Sequence, residues 1–237
     1  MKGLLTILFF VAAIRCEEKI LQFDDKEALN VAKKYLPYNP VILDSGAYIG
    51  AEIKLMKNIW PSSIVYAFEP VPEIFKKLKY NTEKLEKVFR YQLGLDSVGG
   101  KKTFYLANEP DSQEISQSSS LREPKEHLNY SAVQFNRDIT IECFNLDEWA
   151  EKYNVKNIDM LWFDMQGVEL EVMKAAPKVM KNVKVVYTEV EFVELYKGQA
   201  LWSERRDWLE SQGFYFVARD FDFSPESWFG NAIFARR

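Results

Sequence analysis

The sequence is poor in metal-binding and disulfide-forming residues. It has a single histidine, His127, and two cysteines, Cys16 and Cys143, which lie far apart. A site built from several histidines is therefore excluded, and the cysteines provide neither a disulfide framework nor a zinc cluster. Blocks of lysine and arginine are also missing, and 31 basic against 35 acidic residues give a net charge of −4. This balance disfavours nucleic acid as the main partner.

The sequence also lacks internal repeats and any linker that would divide it. Of its 237 residues, 47% are hydrophobic and 28% are charged, which is typical of a globular protein and not of a disordered one. A chain of this length can bury one sizeable core. We predict a single domain over residues 17–237.

Residues 1–16 have a composition of their own. Lys2 precedes an almost entirely apolar run over residues 3–14, and residues 11–13 (Val-Ala-Ala) would serve as a cleavage site for signal peptidase. The run is too short to span a bilayer comfortably. We expect either a signal peptide or a hydrophobic N-terminal segment that packs on the domain or contacts a membrane through residues 3–14.

Apolar runs and helical periods alternate from residue 41 onward. Short continuous apolar runs are typical of strands that are buried on both faces of a parallel sheet. The predicted strands are residues 41–43, 64–68, 88–93, 102–106, 139–144, 158–163, 183–188, 214–218 and 231–234. With helices between most of them, this order predicts an α/β fold with a mostly parallel sheet.

The middle of the chain interrupts this alternation. Gly99-Gly100 is a turn signal, so we expect residues 102–106 to form a hairpin with the preceding strand. Residues 107–138 show no period and predict a long loop that is functional or mobile. Within it, we expect Ser118–Ser120 to be a flexible tract or a lid that orders on binding. His127 is expected at the surface, although its titration range suits a base.

The stretch Val41–Gly50, which reads VILDSGAYIG, is a strand that turns through glycine into a helix. Such a turn leaves backbone N–H groups and a positive dipole end at one point, and glycine lets a ligand approach closely. Glu69 ends the next strand, where this architecture holds ribose hydroxyls. Asp164 and Glu189 end later strands. Together with Asp44, these carboxylates indicate a site for a nucleoside-type cofactor and not merely a set of helix caps.

The glycine spacing limits which cofactor fits. Gly46-x-x-x-Gly50 is not the dinucleotide fingerprint, and the chain has no P-loop sequence, so a nicotinamide or a nucleoside triphosphate is disfavoured. A cofactor without a pyrophosphate fits better. S-adenosylmethionine is the obvious one, because its cationic sulfonium and amino groups favour acidic neighbours.

Five motifs in this order resemble the FkbM family of S-adenosylmethionine-dependent methyltransferases. They are Asp44-Ser45-Gly46-Ala47 with Gly50, Ala67-Phe68-Glu69-Pro70-Val71-Pro72, Leu146-Asp147-Glu148-Trp149, Asp164-Met165-Gln166-Gly167 with Glu169-Leu170, and Tyr187-Thr188-Glu189-Val190. The likeness continues into Gly213-Phe214 and Trp228-Phe229-Gly230-Asn231. It covers nearly everything from residue 40 onward.

The resemblance implies a Rossmann-like, seven-stranded fold with an antiparallel last strand. It also implies an O-methyltransferase that acts on a hydroxyl of a sugar, glycan or small-molecule acceptor. The methionine part of the cofactor would be lined by Asp44, Gly46, Ala47 and Gly50. Glu69 would take the ribose hydroxyls, the segment around Leu93 would flank adenine, and Asp164 and Gln166 would face the methyl group and the acceptor.

Two positions depart from the family pattern. Tyr48 stands where the family often has asparagine, and Gln166 stands where it often has glutamate. Gln166 removes a candidate base, which leaves Asp164 as the first choice and Glu189 as the second. The alternative is a non-catalytic binding module that keeps the sheet. Supply of the cofactor indicates a cytoplasmic protein, whereas the N-terminal segment indicates export or membrane association.

Overall fold

The computed structural model describes residues 19–20, 24–110, 112, 114–224 and 227–236. The signal peptide or membrane contact predicted for residues 1–16 lies outside them. Within the described part, no helix has the length and apolar character needed to cross a bilayer.

Helices and strands alternate along most of the chain. The strands are β1 (Lys19–Ile20), β2 (Val41–Ser45), β3 (Ile64–Phe68), β4 (Val88–Tyr91), β5 (Gly94–Leu95), β6 (Gly100–Asn108), β7 (Gln134–Phe144), β8 (Met160–Phe163), β9 (Val185–Glu191), β10 (Phe214–Arg219) and β11 (Phe229–Arg236). The helices are α1 (Asp25–Ala32), α2 (Ala51–Ile59), α3 (Pro72–Thr82), α4 (His127–Tyr130), α5 (Leu146–Lys152), α6 (Glu169–Lys174), α7 (Pro177–Met180) and α8 (Trp202–Ser211). A 3₁₀ turn, Lys33–Tyr35, follows α1.

The main sheet has the strand order β1-β10-β11-β9-β8-β2-β3-β4. Strand β11 runs antiparallel to both of its neighbours, and the other pairs are parallel. The predicted Rossmann-like sheet of seven strands with an antiparallel last strand is thereby confirmed. The two-residue strand β1 adds an eighth member at the edge.

Apolar residues on the two faces of this sheet pack against two helical layers. Ile42 of β2 belongs to a cluster with residues of α1, α2 and α3. Leu43, the next residue, belongs to a cluster with residues of α5, α6, α7 and α8. This alternation along β2 follows from the two-residue period of a strand, and it places the sheet between two layers of helices.

A second sheet, in the order β5-β7-β6, corrects three predictions about the middle of the chain. The strand predicted at 88–93 ends at Tyr91, and Gly94–Leu95 forms a separate strand. Residues 102–106 pair with β7 and not with their predecessor, because β7 lies between β5 and β6 and pairs with both. The loop predicted at 107–138 contains α4 and the first part of β7.

Strand β2 lies at the point where the order in which strands are added to the sheet reverses. From β2 the chain proceeds to β3 and β4 on one side, whereas β8 and β9 lie on the other side. The carboxyl ends of β2 and β8 therefore form the switch point at which open α/β sheets bind ligands.

Candidate active site

A cavity of about 380 Å³ opens at this switch point. It lies in the size range of small-molecule sites, roughly 300–1,000 Å³. Residues from the ends of five neighbouring strands line it, namely Ser45, Gly46, Glu69, Asp164, Glu189 and Asn231. Five of the predicted site residues thus line one cavity: Gly46, Glu69, Asp164, Gln166 and Glu189.

At Gly46 the turn after β2 packs tightly against the turn after β8. Gly46 has a φ of +91°, and a Cβ placed there would lie 1.8 Å from the carbonyl oxygen of Asp164. The backbone N–H groups of Gly46 and Ala47 both donate to the carbonyl oxygen of Phe68, at 3.2 and 3.0 Å. Only glycine allows this turn to pack against both neighbouring strands.

The other four predicted cofactor-binding residues do not line the cavity. Asp44 is buried at the end of β2, and its Oδ2 atom has no hydrogen-bond partner among the described residues. Ala47 and Gly50 lie behind the turn, where a Cβ on Gly50 would meet Leu78 and Thr82. Leu93 packs against the core, and its neighbours Gly94 and Leu95 line the cavity instead. Their roles stay predictions.

Glu69 connects the end of β3 to the glycine turn. Its Oε1 accepts a hydrogen bond from the Val71 N–H at 2.8 Å. Burial raises the pKa of the Glu69 carboxyl to about 8, against the lowering effect of the Val71 and Tyr48 backbone N–H groups. The Tyr48 contact places Glu69 beside the turn that follows β2.

Gln166 joins the two carboxylates that were predicted as bases. Its Nε2 donates to Asp164 Oδ1 at 2.8 Å and to Glu189 Oε2 at 2.7 Å. Burial raises the pKa of Asp164 to about 7, although the Gln166 hydrogen bond lowers it. The pKa of Glu189 is raised further above its usual range, by burial and then by the Asp164 charge. Burial therefore raises the pKa of both carboxyl groups, and the Gln166 hydrogen bond favours the ionised form of Asp164.

Gln166 is held in place by Tyr196 and by the serine tract, neither of which was among the predicted site residues. The Tyr196 hydroxyl lies 2.8 Å from Gln166 Oε1 and 2.7 Å from the Ser118 carbonyl oxygen. Ser120 Oγ donates to the Gln166 carbonyl oxygen at 2.7 Å. Gln166 itself has a φ of +59°, which is costly for a residue with a side chain. These contacts stabilise the turn in that conformation.

A fully buried ion-pair cluster lies behind the same turn. The Arg205 guanidinium pairs with Glu169 at 3.1 Å and with Glu191 at 3.2 Å. Glu169 in turn accepts hydrogen bonds from the Met165 and Gly167 N–H groups. Carboxylate oxygens of Glu169, Glu189 and Glu191 lie within 4.8 Å of one another. Because Arg205 already contacts two of them, we interpret the cluster as a scaffold for the turn and not as a metal centre.

His127 and two aromatic residues around the start of β11, Trp228 and Phe229, form a further part of the cavity wall. The expectation of a surface histidine is wrong: His127 is buried, lines the cavity and has no hydrogen-bond partner for Nδ1 among the described residues. It lies there because α4 packs its ring against Phe135, Tyr196 and Trp228. Trp228 and Phe229 also line the cavity.

The serine tract belongs to the same wall. Ser119 and Ser120 are buried, and Ser118 lines the cavity. The Ser120 backbone pairs with that of Tyr105 in both directions, at 2.8 and 3.0 Å. Arg122 then donates from Nε to the Gly167 carbonyl oxygen at 2.7 Å. The tract is therefore attached to β6 and to the turn after β8.

The architecture defines the class of the protein. A sheet of seven strands whose last strand runs antiparallel, with a cavity at the β2–β8 switch point, is the arrangement of Rossmann-like methyltransferases. The methyltransferase FkbM of Methylobacillus flagellatus KT has a similar fold, with a TM-score of 0.50 at 12% identity. The match covers 83% of this chain but only 44% of that one, and it shows the fold alone.

Sequence comparisons give the family. Residues 44–216 match the methyltransferase FkbM domain, and the chain belongs to this family. The 2-O-methyltransferase NoeI of Sinorhizobium fredii is 31% identical over 163 residues, which cover 68% of this chain and 67% of NoeI. The hexuronic acid methyltransferase AglP of Haloferax volcanii is 27% identical over 151 residues, which cover 63% of this chain and 55% of AglP. The protein is thus a methyltransferase, as the resemblance implied.

Proposed function

We propose that this chain transfers the methyl group of S-adenosylmethionine to a hydroxyl of a sugar or a similar small acceptor. The observation that carries the proposal is the Asp164–Gln166–Glu189 group on the cavity at the switch point. Among the relatives, NoeI is named a 2-O-methyltransferase and AglP a hexuronic acid methyltransferase. Both names support transfer to a hydroxylated acceptor.

The residues of the cavity, together with the buried Asp44 beside them, fit this cofactor. The buried Oδ2 atom of Asp44 lacks a partner among the described residues, and the charges of Glu52, Asp164 and Glu69 raise the pKa of Asp44 further after burial has done so. A cationic ligand would relieve this accumulation of carboxylates. The turn at Gly46 allows a ligand to approach the backbone, and Glu69 offers a carboxylate for ribose hydroxyls.

When bound, S-adenosylmethionine supplies an electrophilic methyl group on a sulfonium. The protein then has to orient an acceptor hydroxyl in line with that methyl group and exclude water. Asp164 accepts the hydroxyl proton as the oxygen gains the methyl group. Gln166 stabilises the Asp164 carboxylate through Nε2 and fixes its direction. Burial and the Asp164 charge raise the pKa of Glu189, so the two carboxyl groups resist ionising together.

The test is methyl transfer from radiolabelled S-adenosylmethionine to a panel of glycosides by wild type and Asp164→Asn. We expect the wild type to label at least one glycoside. We expect Asp164→Asn to lose about 10²–10⁴-fold in kcat, which is typical of general-base catalysis. Equal kcat values for the two proteins would overturn the assignment of Asp164 as the base. Cofactor binding without transfer to any acceptor would favour the non-catalytic alternative.

A further inference from the structure

The ionisable groups of the cavity wall are mostly acidic. Five carboxyl groups line it, and no lysine or arginine does so among the described residues. Asp25 and Glu52 come from the first turns of α1 and α2, and Glu69, Asp164 and Glu189 come from strand ends. Two arginines lie near the Gln166–Gly167 turn without lining the cavity. Arg122 donates to the Gly167 carbonyl oxygen and pairs with Glu171, and Arg205 is fully buried against Glu169 and Glu191.

His127, the only described residue with a basic side chain on the cavity wall, does not change this balance. Burial lowers the pKa of His127, so its ring is neutral at physiological pH. With Nδ1 unpartnered, the ring can exchange a hydrogen bond with an uncharged hydroxyl but offers no positive charge. The described residues of the wall can therefore form hydrogen bonds with a ligand, but they offer no positive charge to an acidic one.

The mouth of the cavity is aromatic. Trp228 stacks on Tyr130 with ring centroids 5.6 Å apart, and it contacts Phe229 edge-on at 4.7 Å. Phe229 is 41% exposed and lines the cavity. Aromatic faces of this kind pack against the C–H face of a ring, whereas they provide nothing that would neutralise a carboxylate.

We infer that the acceptor is a neutral polyhydroxylated ring, such as an uncharged sugar residue, and that the cavity rejects hexuronic acids. The inference rests on the proposed function and deepens it. It separates this chain from AglP, whose name specifies a hexuronic acid. An acidic acceptor would lie among acidic groups: those that are ionised would repel its carboxylate, and those that are protonated would offer it no positive charge.

The experiment compares matched acceptors. Methyl glycosides of glucose, galactose and mannose are assayed beside the methyl glycosides of the corresponding hexuronic acids, with radiolabelled S-adenosylmethionine. We expect kcat/KM for the neutral member to exceed that for the acid by at least about tenfold. Added salt should narrow this gap, because it screens repulsion. Equal or better use of an acid would overturn the inference and leave the proposed function intact.

Calorimetric titration of the cofactor distinguishes a failure of this inference from a failure of the proposed function. If the cofactor binds and no member of any pair is methylated, the proposed sugar acceptor is wrong and the inference falls with it.

A gain-of-charge variant adds a second measurement. Phe229→Arg introduces a cation at the cavity mouth and should raise the ratio of acid to neutral kcat/KM by about tenfold. Phe89→Arg, at a site 47% exposed and away from the cavity, should leave the ratio unchanged. An unchanged ratio in folded Phe229→Arg contradicts the inference.

Discussion

Asp164 and Glu189 come from neighbouring strands and share one hydrogen-bond donor, the Nε2 atom of Gln166, at 2.8 and 2.7 Å. The family often has glutamate at position 166, and the amide in this chain replaces a negative charge with a donor. We propose that Gln166 is a positioning residue that favours the ionised form of Asp164 and does not accept a proton itself.

Gln166→Glu should raise the apparent pKa of the site. A third carboxylate beside Asp164 and Glu189 disfavours ionisation of each, so the rising limb of the activity profile moves to higher pH. Activity measured from pH 5 to 9 checks this. Gln212→Glu, at the exposed end of α8, is the control and should leave the profile unchanged. A Gln166→Glu profile that superposes on that of the wild type would argue against this role.

Gly46→Ala should both destabilise the protein and abolish cofactor binding. A Cβ at this position overlaps the Asp164 carbonyl oxygen at 1.8 Å, and the positive φ adds a backbone cost. We expect a loss of about 2–5 kcal/mol in the free energy of unfolding, from backbone strain and overpacking together. Gly100→Ala is the matched control, because Gly100 also has a positive φ but has no heavy atom within 4 Å of the added Cβ. Its loss should be about 1–2 kcal/mol, with cofactor binding intact. Similar losses in both variants would refute the close-approach explanation.

Arg205→Leu should destabilise the protein far more than a surface ion-pair variant. Removal of the guanidinium leaves Glu169 and Glu191 buried without a cation, which costs about 3–5 kcal/mol. Lys178→Met breaks an ion pair with Glu151 whose partners are both more than three-quarters exposed. It should cost less than about 1 kcal/mol. Urea unfolding gives both values, and near-equal losses would mean that the buried cluster contributes little.

The free energy of unfolding should fall as the pH rises from 5 to 9. The pKa values of Glu69, Asp164 and Glu191 are raised by burial to about 8, 7 and 8, from 4.5, 3.8 and 4.5. Between the unfolded and folded pKa values, the folded state binds more protons, so stability is lost as these carboxyls ionise. Each kcal/mol lost lowers Tm by roughly 2–4 °C for a chain of this size. A saturating cationic cofactor should reduce the slope, and a Tm independent of pH would contradict the burial of these groups.

The sequence predicts the parallel sheet because its signals are local. Residues 41–43 and 64–68 are continuous apolar runs that are each followed by a carboxylate, Asp44 or Glu69, and each run forms a strand at the predicted place. The convergence of Gly46, Glu69 and Asp164 on one cavity follows from parallel topology, since carboxyl ends of such strands meet at one edge.

Contacts between distant segments could not be predicted in this way. The pairing of β6 with β7 depends on a strand that comes 26 or more residues later, and a turn signal at Gly99-Gly100 says nothing about it. The burial of His127 depends on aromatic rings from three other segments. The burial of Arg205 could have been predicted from the sequence, because it occupies the apolar face of α8 between Trp202 and Leu209. A charged residue at such a position indicates a buried partner.

The most direct test of the cavity as the cofactor site is calorimetric titration of S-adenosylmethionine into the wild type, Glu69→Gln and the exposed control Glu83→Gln. We predict saturable binding of one molecule per chain to the wild type and to the control. Glu69→Gln should bind at least about tenfold more weakly, a loss of roughly 1.4 kcal/mol. Absence of binding to the wild type, or equal affinity in Glu69→Gln, would contradict the account.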